Sequence, residues 1–310
     1  MNGHECPYGE SPQSCSFKRR RGRIRDALHA WPMECIKCSL VIHSEPLDHL
    51  VDYQSGTMHD WAPGYGDGKG PMSTSDLERR YASIASLVSN LSKVKILDFG
   101  SGNGSMVERF NEEFEAFGLE PESNARAVAI SKGLKIFATI DDLANGALKF
   151  DVITLFHVIE HISEPSKIIT SLKALLKPGG FCVIETPNSM DALLTLYECE
   201  QFEDFTYWSH HPMLYSQKSL EVLFLNSGFK VTESVGIQRY PIENHLYWLS
   251  NGKPGGHDIW KGKFSATLNG IYAQQLVELG VSDTIWLVGK KNRVDRSGLK
   301  EFVAPQVAEP

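Results

Sequence analysis

The spacing of apolar positions divides the chain into an ordered centre and irregular flanks. From residue 93 onward, short apolar runs alternate with stretches of helical period. Runs of strand length fall at 95–99, 116–119, 135–138, 151–156, 180–185, 229–236 and 284–289. Stretches with helical spacing lie at 105–113, 122–132, 143–147, 165–176, 217–226 and 263–279. An earlier helix starts after a Ser75-Asp76 cap and sets Leu77, Tyr81, Ile84, Leu87 and Val88 on one face. Strands alternating with covering helices predict a parallel sheet with crossovers on both faces. Lys177-Pro178-Gly179-Gly180 reads as a helix stop that turns the chain into a strand. Segments 188–215 and 238–262 break the rhythm and predict irregular inserts. Residues 47–76, rich in Gly, Ser, Asp and aromatics, predict a lid or linker loop. The expected organisation is a Cys-rich segment at 1–46, that loop, a main domain at 77–293, and a loose tail at 294–310.

Composition narrows the class. Among 310 residues, 42% are hydrophobic and 22% charged, which excludes long disorder. The 31 Lys+Arg against 38 Asp+Glu give a net charge of −7, which disfavours nucleic acid or anionic lipid as a partner for the whole surface. No apolar run reaches the roughly 18–20 residues of a membrane span, and the start is too polar for a signal peptide. A soluble, cytoplasmic protein is expected. Cys6, Cys15, Cys35 and Cys38 cluster near the N-terminus, and in a reducing compartment clustered thiols point to a structural zinc. Between them, residues 18–25 hold six Lys or Arg in eight positions. Such a run reads as a solvated hairpin or as a phosphate contact.

The chemistry begins where the first strand of the main domain ends, in Asp98-Phe99-Gly100-Ser101-Gly102-Asn103-Gly104. Alternate glycines let the backbone turn sharply beside a ligand, and the following helix presents unpaired N–H groups. Asp98 would repel a phosphate and welcome an ammonium group. Glu120 ends the next strand, where ribose hydroxyls bind in open α/β sheets. The run from Phe150 to His161 reads as a buried strand that drops polar groups into the same crevice.

These motifs resemble those of the class I S-adenosylmethionine-dependent methyltransferases, in order, over residues 77–290. The resemblance implies a Rossmann-like, doubly wound, mostly parallel seven-stranded sheet with helices on both faces. It also implies S-adenosylmethionine as cofactor, with Gly100, Ser101 and Gly102 beside its methionine part, Glu120 on the ribose, Asp141 (or Asp142) at the adenine and Phe156 at its rim. His157 joins this set. The N-terminal segment resembles the small zinc-binding segment of sugar and natural-product methyltransferases, although Gly9 stands where a second cysteine of the first pair is expected.

For the acceptor side, His157-x-x-Glu160-His161 and Ser209-His210-His211 follow successive strands. A histidine there can take a hydroxyl proton, which makes His161, His210 and His211, with Glu160, the catalytic candidates. Adjacent histidines in an extended segment point opposite ways, so only one of His210 and His211 can face the substrate. Some methyltransferases of ubiquinone synthesis and of small RNAs carry a metal-holding Glu-x-x-Glu-His here, and this chain replaces one carboxylate with His157. Tyr53, His59, Trp61 and Tyr65 of the loop, with Arg239, Tyr240, Asn244, His245, Tyr247 and Trp248, suit a sugar or anchor their own loops. The expected function is methyl transfer to a hydroxyl of a small molecule, most simply a saccharide or glycan precursor. The alternatives are C-methylation of a nucleotide-linked keto sugar, RNA methylation, and a non-catalytic binding module.

Overall fold

The computed structural model describes residues 16–47, 74–145 and 148–292. Its centre is a seven-stranded sheet. Strands β4 (Lys95–Phe99), β5 (Glu115–Leu119), β6 (Ile136–Phe137), β7 (Phe150–Phe156) and β8 (Leu176–Pro187) are parallel. Strands β10 (Phe229–Ile237) and β11 (Thr284–Lys291) complete the order β10-β11-β8-β7-β4-β5-β6, with β11 antiparallel to both neighbours. Adjacent residues feed opposite faces. Ile96, Val152, Val183 and Trp286 join one buried layer with α1 (Thr74–Leu87) and α2 (Ser105–Phe110). Leu97, Ile153, Ile184 and Leu287 join the other with α5 (Pro165–Leu175) and α8 (Gln217–Asn226). This is the period-two alternation of a sheet covered on both sides.

The expected doubly wound α/β architecture is therefore present, with local differences. Helix α1 begins at Thr74, so Ser75 and Asp76 lie inside its first turn. The Lys177–Gly180 stretch does not precede the strand but lies within it: the β7–β8 register passes from Phe150–Leu176 to Val152–Phe181, a bulge that Gly179 at φ +83° accommodates. Both inserts contain ordered elements. The first holds α6 (Ala192–Thr195), α7 (Glu200–Thr206) and β9 (Met213–Leu214); the second holds α9 (Ile242–Asn251) and α10 (Gly256–Ile259). Helices α3 (Ser123–Ser131), α4 (Ile140–Asn145) and α11 (Ala266–Glu278) fall where the periodicity placed them, with shifted ends. Among the described residues, no helix is long and apolar enough to cross a membrane.

The N-terminal segment folds into a second sheet. Strands β1 (Phe17–Arg19), β2 (Pro32–Cys35) and β3 (Val41–His43) form an antiparallel meander, and β9 of the first insert pairs with β3 as the fourth strand. Cys35 and Cys38 are buried on the β2–β3 turn, whereas Cys6 and Cys15 lie outside the described residues. The carbonyls of that turn are gripped by the main domain: Ser189 Oγ donates to Ser39 O at 2.7 Å, Lys218 Nζ to Lys37 O at 2.8 Å, and Ser216 Oγ to Cys38 O. The basic run is engaged within the chain. Arg20 Nη1 donates to Ser189 O at 2.7 Å, Arg21 pairs with Glu198 and Glu200, and Arg19 lies 4.3 Å over the Trp31 ring.

Candidate active site

The glycine loop after β4 is built as a cradle. Gly100 and Gly102 adopt φ +76° and +53°; a Cβ on Gly100 would lie 2.5 Å from Val158 Cγ2, whereas one on Gly102 would meet open space. The first glycine is thus required by packing, and the second leaves open space beside its Cα. Glu120 clamps this loop. Its carboxylate accepts the Gly102 N–H at 2.7 Å and the Glu122 N–H at 2.8 Å, while burial raises its pKa. Ser101 Oγ is buried beside Gly118 with no hydrogen-bond partner among the described residues. Asp98 is buried too, and desolvation lifts its pKa to about 7 against a 2.8 Å hydrogen bond from Thr154 Oγ1. At α4, Asp142 accepts from Thr139 N at 3.0 Å and Thr139 Oγ1 accepts from Asp142 N at 3.2 Å. That reciprocal cap occupies Asp142.

Beyond β7 the edge is made of side chains. His157 sits at φ +56°, a costly left-handed conformation for a residue with a Cβ, held by its N–H bond to Glu185 O at 2.7 Å. Arg239 Nη1 donates to His157 Nε2 at 2.8 Å, so the ring proton is on Nδ1, facing Glu160 Oε1 at 3.4 Å. Arg239 also pairs with Asp76 at 2.7 Å, and Glu185 at the end of β8 accepts Arg79 at 2.8 Å and Arg80 at 2.6 Å. Burial would raise the Glu185 carboxyl, but the two arginines hold it well below the usual carboxylate range.

One turn further on, Glu160, His161 and His211 bring their ligand atoms within 4.8 Å of one another. His161 Nδ1 lies 2.7 Å from His210 O, and His211 Nδ1 lies 3.3 Å from Thr206 O. A carbonyl only accepts, so both rings carry their proton on Nδ1 and leave an Nε2 lone pair. Burial lowers the pKa of both, His211 furthest, and keeps them neutral. Burial pushes the other way on Glu160, yet the hydrogen bond from His157 holds its carboxyl below the ordinary value. Thr186 Oγ1 donates to its second oxygen at 2.9 Å. The segment carrying His210 and His211 is a turn closed by His211 N to Trp208 O at 3.0 Å, not an extended stretch. His210 stacks on Trp208 instead of joining the cluster.

Residues 74–234, more than half of the chain, match the sequence family described as methyltransferase domain. The chain belongs to that family. A ubiquinone biosynthesis O-methyltransferase of Vibrio vulnificus is 37% identical over 103 residues, which are 30% of this chain and 44% of that protein. The enzyme of the same description from Proteus mirabilis is 28% identical over 156 residues, 47% of this chain and 63% of its own length. The chain thus spans less than two thirds of these relatives. An S-adenosylmethionine-dependent methyltransferase from Archaeoglobus fulgidus overlays 69% of this chain and 94% of its own with a TM-score of 0.47 at 18% identity.

Within this methyltransferase frame, Asp98, Gly100, Ser101, Gly102 and Glu120 are brought together at one strand edge. They fit the family's cofactor, S-adenosylmethionine: an open space before Gly102, a buried unpartnered hydroxyl, and a carboxyl poised for an ammonium group. Phe156, expected at the adenine rim, instead packs beneath α1, stacked on Trp286 at 5.9 Å with the Arg80 guanidinium 4.7 Å above its ring. Several aromatics expected to meet substrate serve packing. Trp248 is buried among Leu193, Cys199 and Phe202, and Tyr247 packs on Trp260. Tyr53, His59, Trp61 and Tyr65 lie outside the described residues. Asp76, Arg79, Arg80 and Glu185 escaped sequence reading. Arg80 sits on the apolar stripe of α1, and an arginine there demands a buried acid; Glu185 directly follows the apolar run 181–184 of β8.

Proposed function

We propose that this methyltransferase methylates a hydroxyl oxygen of a small molecule, with the His161–His211 pair receiving the hydroxyl proton. The observation that carries this reading is the pair of neutral imidazoles, each held through Nδ1 with an Nε2 lone pair beside ionised Glu160. Bound S-adenosylmethionine would supply an electrophilic sulfonium methyl. Asp98 would then hold its ammonium group, Glu120 its ribose, and Asp141, with Asp142 occupied by its cap, its adenine. An Nε2 would take the hydroxyl proton as the oxygen gains the methyl group and the sulfonium sulfur leaves as a neutral thioether, and ionised Glu160 would stabilise the imidazolium that results. A saccharide acceptor draws its support from Tyr240, since Arg239 is paired with Asp76 and His157, and Tyr247 and Trp248 are committed to packing.

The same geometry favours a second reading. Two imidazoles and a carboxylate fit a divalent ion, and each Nδ1–H bond to a carbonyl is the outer contact that orients a metal-binding imidazole. Glu160, His161 and His211 would hold the ion, which would acidify a bound hydroxyl. Single alanine variants at His161, His210 and His211, assayed on a panel of phenols and sugars with saturating cofactor, test both. His161→Ala and His211→Ala should lower kcat by about 10²–10⁴ with cofactor affinity intact, and His210→Ala far less. Loss of activity on chelation, restored by one divalent ion, selects the metal reading. Unchanged kcat in both key variants ends both readings.

A further inference from the structure

The N-terminal sheet reaches the reacting edge through one carboxylate. Asp26 lies in a tight turn anchored by buried Ile24 and Ala27, closed by Ala27 N to Ile24 O at 3.1 Å. Its Oδ1 accepts Ser209 N at 2.9 Å and its Oδ2 accepts Ser209 Oγ at 2.6 Å. Ser209 Oγ also stands 3.2 Å from His210 Nδ1. The next carbonyl, His210 O, takes the His161 Nδ1–H at 2.7 Å. The flanking Arg25 braces the same loop: its N–H donates to Tyr207 O at 3.0 Å, its Nη1 to Phe205 O at 3.2 Å, and its guanidinium lies 4.4 Å over the Trp208 ring. A short stretch of the N-terminal segment therefore grips both sides of the turn that carries His210 and His211.

We propose that Asp26 is a positioning residue for His161, acting through Ser209 and the His210 carbonyl. A carbonyl fixes an imidazole's tautomer only if its own peptide plane is fixed. Two donors of one residue held by one carboxylate provide that constraint, because charge-assisted and paired bonds leave little freedom to rotate. The proposal rests on His161 belonging to the working edge, but it predicts something that can be read without an acceptor, a metal or turnover. With the Ser209 clamp gone, the 209–211 turn swings and the His161 Nδ1–H loses its fixed acceptor.

The test uses the full chain labelled with ¹⁵N-histidine. Long-range proton–nitrogen spectra at neutral pH report the tautomer of each ring, with His161 assigned by its loss in His161→Gln. In the wild type, His161 should be the Nδ1–H form. Asp26→Ala should lower the ratio of Nδ1–H to Nε2–H by about three- to tenfold, the range of one hydrogen bond. Asp26→Asn keeps an acceptor for Ser209 and should restore part of the ratio. A merely structural role would lower the melting temperature and leave the tautomer unmoved. Should Asp26→Ala fail to fold, Ser209→Ala, which keeps the N–H contact, must show the same direction of change. A folded Asp26→Ala or Ser209→Ala with an unchanged His161 tautomer, or a wild type already in the Nε2–H form, overturns the proposal. Inactivity of the His161 and His211 readings toward any acceptor would leave the tautomer result standing.

Discussion

The two halves of the reacting edge are made of different material. Along β4 and β5 the groups belong to neighbouring stretches of chain, and the geometry is set by backbone: glycine conformations, and two amides on the Glu120 carboxylate, one of them only 18 residues away. Beyond β7 the groups come from far apart. Arg80 and Glu185 are 105 residues apart, Asp76 and Arg239 163, and Asp26 and Ser209 183. Backbone-built sites tolerate side-chain change except at the glycines and at the carboxylate that clamps them. Side-chain networks place each charge exactly as well as their weakest partner allows, and removing one partner leaves another buried alone.

The largest expected effect follows from that contrast. Glu185 is fully buried and faces Arg79 and Arg80, of which Arg80 is itself buried. Glu185→Ala should destabilise the fold by about 3–5 kcal/mol, read as the urea midpoint at constant slope. A loss below 1 kcal/mol would mean that the arginines find water, and the contrast would collapse. On the cofactor side, Glu120→Ala should act on binding: a loss of about 1.5–3 kcal/mol in S-adenosylmethionine affinity by calorimetry. An affinity unchanged by the substitution would remove Glu120 from the ribose site.

The smallest effect sharpens the comparison through pH. Burial places the Asp98 pKa at about 7, above its ordinary 3.8. A cofactor ammonium pairs only with the carboxylate, so affinity should rise from pH 6 toward neutrality as Asp98 ionises, and fall again once the ammonium group loses its proton above about pH 8. Asp98→Asn should bind weakly and flatten the profile. The stability of the free protein runs the other way. A carboxyl raised in the fold contributes stability that is complete below its unfolded value and lost as pH rises through about 7. Thermal denaturation of the wild type and Asp98→Asn across that range checks the sign.

Legibility followed the same division. β4 and α8 begin and end where the apolar pattern placed them, because each is a short periodic unit bounded by strong turn residues. Asp98, the glycines and Glu120 were readable because their spacing along the chain mirrors their spacing across neighbouring strands. The inserts were not. β9 contributes only Met213 and Leu214 and exists through pairing with β3, and α9 carries its buried His245, Tyr247 and Trp248 among polar residues that blur its period. The basic run read as a solvated or phosphate-binding surface because nothing local announces that Ser189, Glu198 and Phe205 will fold against it. Asp26 is the extreme case, a single acid in an arginine-rich turn whose partner is set by tertiary structure alone.

The closure of the small N-terminal sheet by β9 has a consequence for biosynthesis. Strands β1 to β3 leave the ribosome before the residues they meet: the Arg20–Ser189 bond spans 169 residues, and β9 emerges later still. At about 5–20 residues per second, that is a wait of roughly 10–30 s. Throughout it, Val41, Ile42 and the Cys35–Cys38 turn stand without the residues that bury them in the finished protein. These strands are therefore made well before they can become native, and the Cys35 and Cys38 thiols meet solvent, or whatever chaperone attends the chain, before they meet the core.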